Sequence, residues 1–326
     1  MNRVTFWDAQ GKSVDGSSGH EYLKSAGLDW NVVGQPLFSY GVGDASHLLL
    51  PVPGRKSVIR TDQMRAIATV GEGYKFFQNE TLGEAVDALL ELHGDAKVVK
   101  AGELNGGRVV YMSVELPDEI RIEGDDSPRK KYLVLRTGHD GLTSLTLGIA
   151  YIRWSCQNQV NMTFRGLKDK VVIRHTVNAK VSIEEMRKAL RFVNPYLESV
   201  AAVETELLDR KMTINDLKKI TEKLIPSMAD EDSKAVKAQA QRDIIIALAQ
   251  NSANLQNLDW TLFRGFQAVA EYADHERVYR KTKKGPAEDA RAMAIMGGTA
   301  QKLKDNFLTL TLGGQRRDRS GHFVKV

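Results

Sequence analysis

The chain has one cysteine, Cys156, in 326 residues. A disulfide framework within the chain is therefore excluded, and so is any zinc site built on a cysteine pair. Long apolar runs are missing too. Ile244–Ala249 is among the longest, far short of the ~20 residues a spanning helix needs. Met1–Gly19 is polar and rich in glycine and serine, without the basic-then-apolar pattern of a secretion signal. No internal repeat is visible. These absences predict a protein of a reducing compartment, the cytoplasm, with no membrane segment.

Composition is that of a globular chain, 42% hydrophobic and 27% charged. With 46 Lys+Arg against 41 Asp+Glu, the formal net charge is +5. A positive excess favours polyanionic partners. The excess is concentrated in three places: Arg153 to Lys180, Arg277 to Lys284, and the tail at Arg316, Arg317 and Arg319. Runs of this kind are also ordinary solvated faces.

Patterning predicts an α+β fold, with a mostly antiparallel sheet region holding one helix, followed by a helical region. Strands are expected over Leu28–Tyr40, His47–Pro53, Lys56–Thr61 and Arg65–Val70. A helix follows over Thr81–His93, capped by Thr81. Asn105-Gly106-Gly107 marks a hairpin between Ala96–Glu103 and Arg108–Leu116, because Asn-Gly accepts positive φ. Lys131–Thr137, Ser144–Phe164 (broken near Ser155–Asn158) and Val171–His175 complete the strands. Ser182 with Glu185 reads as a capping box opening a helix interrupted by Pro195. Thr213–Leu224, Asp232–Asn251, Trp260–Tyr272 and Thr299–Leu312 are further helices. The expected organisation is a flexible segment 1–19, a β-rich domain 20–180, a helical region 181–312 and a basic tail 313–326.

Catalytic and cofactor patterns fail one by one. Gly11-Lys12-Ser13 has the ending of a phosphate loop, but Phe6 stands where its first glycine belongs. Gly71-Glu72-Gly73 lacks the third glycine and the helix of a dinucleotide fingerprint. The seven histidines show no ligand spacing. Pro117-Asp118 is not followed by an acid-x-Lys within the next thirty residues, and Glu123, Asp125 and Asp126 read as a solvated loop. Cys156 could be a nucleophile with His139 or His175 as base and Asp140 as orienter. A small buried cysteine in a strand is the commoner arrangement. No cofactor and no metal are expected, and a non-catalytic role is favoured.

Around Cys156, amides (Gln157, Asn158, Gln159, Asn161) interleave with aromatics and cations. Arginines that take phosphates beside aromatic faces that stack on bases suit single-stranded nucleic acid. The same amides could instead satisfy backbone groups where a strand breaks. The candidate nucleic-acid-binding residues are Arg153, Trp154, Phe164, Arg165, Lys168, Lys170, Arg174 and Lys180.

Six ordered stretches carry a family resemblance: Gly27-Leu28-Asp29-Trp30; Val70-Gly71-Glu72-Gly73-Tyr74-Lys75 with Gln78-Asn79; Gly138-His139-Asp140-Gly141; Arg153-Trp154-Ser155-Cys156-Gln157-Asn158; Arg174-His175-Thr176-Val177-Asn178; and Ala270-Glu271-Tyr272-Ala273-Asp274-His275. From about residue 20 to about 312 the chain resembles the phage/plasmid-like protein family, a domain of unknown function. The family often has Val or Ile where this chain has Ala273. The resemblance implies a phage or plasmid gene, and hence a part in replication, recombination or evasion of host defence. The leading expectation is a single-stranded DNA-binding or annealing protein working as a homo-oligomer. The alternative is a non-catalytic binder that modulates a host system.

Overall fold

The computed structural model describes residues 11–117, 119–153, 158–161, 172–173, 193–227, 232–296, 298–313, 316–317 and 323–324. It is an α+β fold, with antiparallel sheets in the N-terminal half and helices in the C-terminal half. The elements of the first half are β1 (Lys12–Ser13), α1 (Gly19–Ala26), β2 (Val32–Tyr40), β3 (Leu49–Arg60), β4 (Arg65–Gly71), α2 (Asn79–Leu92), β5 (Lys97–Leu104), β6 (Val109–Glu115), β7 (Ile120–Ile122), β8 (Asp125–Gly138), β9 (Leu145–Arg153), β10 (Asn158–Asn161) and β11 (Val172–Ile173). Then come α3 (Val193–Asp209), α4 (Ile214–Leu224), α5 (Asp232–Asn251), α6 (Leu262–Glu271), α7 (Ala287–Ile295) and α8 (Thr299–Thr311). The short strands β12 (Arg316–Arg317) and β13 (Phe323–Val324) pair with each other.

The large sheet runs β1-β5-β6-β8-β9-β10, with β7 on β8 and β11 on β9. Every pairing in it is antiparallel. The expected Asn105 hairpin joins β5 and β6, with φ of 54° at Asn105, 68° at Gly106 and 88° at Gly107. β6 is central and buried along almost its whole length. Its side chains alternate between two apolar clusters, as strand geometry requires. Val110, Met112 and Val114 enter the main core with Leu82, Val86 and Leu89 of α2 and Phe263 of α6. Val109 and Tyr111 face a smaller cluster with Ala273, Ala292, Ile295 and Ala300. Helices thus cover both faces, and the main core takes residues from both halves of the chain.

The second sheet, β2-β3-β4, is smaller. Where β2 and β3 continue past the end of β4, almost every residue is exposed.

Several expectations are corrected. Helix α1 falls ahead of the first expected strand, where no element was assigned, because eight residues give little periodicity to read. Ser18 caps it, and Gly19 lies so close to α2 that a Cβ there would sit 2.1 Å from the Gly83 carbonyl. Helix α7, alanine-rich and weakly patterned, was also not anticipated. Helix α2 begins at Asn79 after Gln78, two residues before Thr81. Lys12–Ser13, read as loop, is a strand on β5. Asp125 is buried, not in a solvated loop. The capping box at Ser182 lies outside the described residues.

Candidate functional site

Three constellations gather the chemically informative side chains. The first joins stretches that carry the family resemblance. Asn79 donates its amide to the carbonyls of Leu28 (2.8 Å) and Trp30 (3.1 Å). With that amide so oriented, its Oδ1 faces His139 Nε2 at 2.9 Å. An acceptor there requires the proton on Nε2, which fixes the imidazole tautomer. Trp30 lies against His139 on one side, with ring centroids 5.3 Å apart, and under the Arg60 guanidinium at 4.1 Å on the other. Arg60 is itself held by Asp62 and Glu103. Tyr74 donates to the Gly138 carbonyl at 3.0 Å. Asp140 accepts from Leu142 N and Thr143 N, closing its own turn. This junction ties β2, α2 and the β8–β9 loop together. Among the groups of the conceivable Cys156 centre, His139 is thus buried in it and Asp140 is occupied locally. Cys156 and His175 lie outside the described residues.

The second constellation is a buried charge network. Arg153, fully buried, grips Asp125 with two contacts, Nε–Oδ2 at 2.6 Å and Nη2–Oδ1 at 2.7 Å. Its Nη1 donates to the Asn254 carbonyl at 3.2 Å. Arg129 bonds Asp125 at 2.7 Å and Glu204 at 3.0 Å. Burial pushes the Asp125 carboxyl up, but the Arg153 hydrogen bond and the two guanidinium charges bring it below its ordinary value. Burial raises Glu204, which Arg129 only partly offsets. The network is the polar fastening between β8, β9, helix α3 and the Asn254 turn that follows α5. Arg153 is therefore an interior cation, with its guanidinium committed to Asp125. Trp154, Phe164, Arg165, Lys168, Lys170, Arg174 and Lys180 lie outside the described residues.

The third constellation is exposed and basic. Between the π-helical turn Tyr272–Glu276 and α7, a loop presents Arg280, Lys281, Lys283 and Lys284 to solvent. Thr282 organises its tip, accepting at Oγ1 from Lys284 N (3.2 Å) and Gly285 N (3.3 Å). Tyr279 anchors its base between Arg277 (5.8 Å) and Arg291 (5.7 Å). Gly285 packs on the β5–β6 turn, where a Cβ would stand 2.9 Å from Asn105 Oδ1. Asp289 Oδ2 accepts from Asn105 N at 2.6 Å. Exposed Arg65 donates to Gly106 O of the same turn at 2.7 Å. Arg108, just after the turn, lines a cavity of ≈ 300 Å³ with Asp140 and Ala66–Thr69. Arg65, Arg108 and the loop cations therefore share one edge, with Glu276 and Glu288 as exposed acids flanking the loop. The charge run of the loop was readable in sequence. Its neighbours were not, since Arg65 lies more than two hundred positions away.

Among the described residues, no group of three His, Cys, Asp or Glu is placed to hold a metal ion. Nor is any helix there long and apolar enough to cross a membrane.

The sequence model of the family described as "Domain of unknown function (DUF932)" matches residues 66–296. The match covers more than half of the chain, which belongs to this family. It takes in the whole buried charge network and the basic loop, while Leu28, Trp30, Arg60 and Arg65 precede it. Comparison with curated proteins and with solved structures returned no match.

Proposed function

We propose that the protein binds nucleic acid, with single-stranded DNA favoured, along the edge formed by the Arg280–Lys284 loop and Arg65. The observation that carries this reading is that a loop bearing four exposed cations packs through Gly285 on the same hairpin turn that Arg65 of β4 bonds. A mobile charge run would be an ordinary solvated face. This loop is instead pinned at both ends, so its charges keep a fixed spacing against a phosphate chain. Such a surface neutralises phosphates without reading bases, which leaves base edges free to pair. Annealing during phage or plasmid recombination or replication, in the cytoplasm, is the activity that matches a cationic edge without catalytic groups. The alternative, a binder of another protein, draws on the exposed apolar part of β2 and β3.

The test is a titration of a fluorescent single-stranded oligonucleotide at several salt concentrations, beside the matching duplex. We expect single-strand binding that weakens steeply with salt. In Lys283→Glu/Lys284→Glu the slope of log K on log salt should fall by roughly 0.7 per lost phosphate contact. Absence of binding at low salt sinks the reading and promotes the alternative. Unchanged binding in the double variant moves the interface away from this edge.

A further inference from the structure

Beyond β4 the paired ends of β2 and β3 project as a two-stranded arm with an ordered tip. Gly41 N donates to Leu48 O (3.0 Å), Ala45 N to Val42 O (3.2 Å) and Leu48 N to Ala45 O (2.9 Å). A Cβ at Gly41 would stand 2.2 Å from the Ala45 carbonyl, so the tip is closed tightly on itself. Register places Phe38 opposite Pro51 and Tyr40 opposite Leu49, on one face. Leu48 and Leu50 belong to the other. Tyr40 is 74% exposed, Val42 88%, Leu49 59% and Phe38 50%. A two-stranded ribbon is marginal alone in water, and a soluble monomer rarely leaves so large an apolar surface bare.

We propose that this arm is the self-association surface of the protein and that its occupant is the arm of a second copy. Charge decides the occupant. The twenty residues from Gln35 to Gly54 hold one charged side chain, Asp44, in a chain of net charge +5. With no cation, the arm has nothing to offer a phosphate backbone. A surface that meets its own copy is best kept nearly free of charge, and the arm, with Asp44 alone, comes close to that condition. Only both faces and the tip together expose an area on the order of the ~800 Å² per partner that a stable interface takes, and Phe38, Tyr40 and Leu49 supply about half of it. Pro36, Pro51 and Pro53 remove backbone donors from the two strands, which blunts strand addition at the edges. The Phe38–Tyr40–Leu49 face is thus the contact.

The experiment is analytical ultracentrifugation of the nuclease-treated full chain over a range of concentrations at low and high salt. It involves no nucleic acid, so it stands or falls apart from the binding reading above. We expect a concentration-dependent dimer or larger assembly that persists at high salt. Phe38→Asp/Tyr40→Asp should shift the dissociation constant at least a hundredfold while circular dichroism stays unchanged. Hydrogen exchange of the unaltered chain at high and low concentration checks the same face without substitution, with slowing expected over residues 35–54. A monomer at every concentration overturns the proposal. So does an assembly that survives in the folded variant, or exchange over 35–54 that ignores concentration.

Discussion

Strands β2 and β6 are both apolar and both form antiparallel ladders, yet their fates are opposite. Val109–Glu115 is buried on both faces, between α2 on one side and the α7 region on the other. Pro36–Tyr40 is exposed on both, apart from half-buried Leu37. Hydrophobic content therefore decided neither burial nor position here. Coverage did: β6 has strands on both sides and helices above and below, while the arm has outrun its sheet. An apolar strand records that something must cover it, and the covering element can belong to the same chain or to another.

The largest test of this contrast is the fastening that holds helices against the large sheet. Asp125→Asn leaves two buried guanidinium groups without their shared carboxylate, and we expect a loss of about 3–5 kcal/mol in denaturant unfolding. Next, Met112→Ala should cost about 2–5 kcal/mol, whereas Leu49→Ala in the arm should stay within about 0.5 kcal/mol in dilute monomer. Equal costs at the two sites would break the comparison. Asn79→Ala, which strands the Leu28 and Trp30 carbonyls and the His139 N–H, should cost about 1–3 kcal/mol.

The smallest effect is in pH. Asp125, lowered in the fold, contributes stability that is present above its unfolded value and lost as pH falls through its folded one. Glu204, raised in the fold, contributes below its unfolded value, and that contribution is lost as pH rises through its folded one. Urea midpoints measured from about pH 4 to 7 should therefore decline at the upper end in the parent and stay level in Glu204→Gln.

What was legible in the sequence was mostly local. Asn105-Gly106 announced its hairpin, and Thr213 announced α4, where its hydroxyl and Asp216 cap each other. Asp232–Asn251 was readable from its length alone. The α+β order followed from strands giving way to helices. Distance defeated the rest. Arg153 looked like a surface cation because its partner Asp125 is 28 positions away and its carbonyl acceptor on Asn254 is 101 away. The arm read as two more strands, since a strand pattern says nothing of what lies over a face. The basic loop was visible as charge, but only the fold sets Gly285 against Asn105.

The division of β6 between two apolar compartments has a kinetic side. The smaller compartment is closed by the π-helical turn and α7, and the basic loop is the strap between them. Its opening would uncover Val109 and Tyr111 while leaving Val110 and Met112 sealed on the other side. Under the proposed function, a polyanion lying across the strap would hold that door shut. The first amides to gain protection would then be those of α7 and the Asn105 turn, well ahead of any change in the main core.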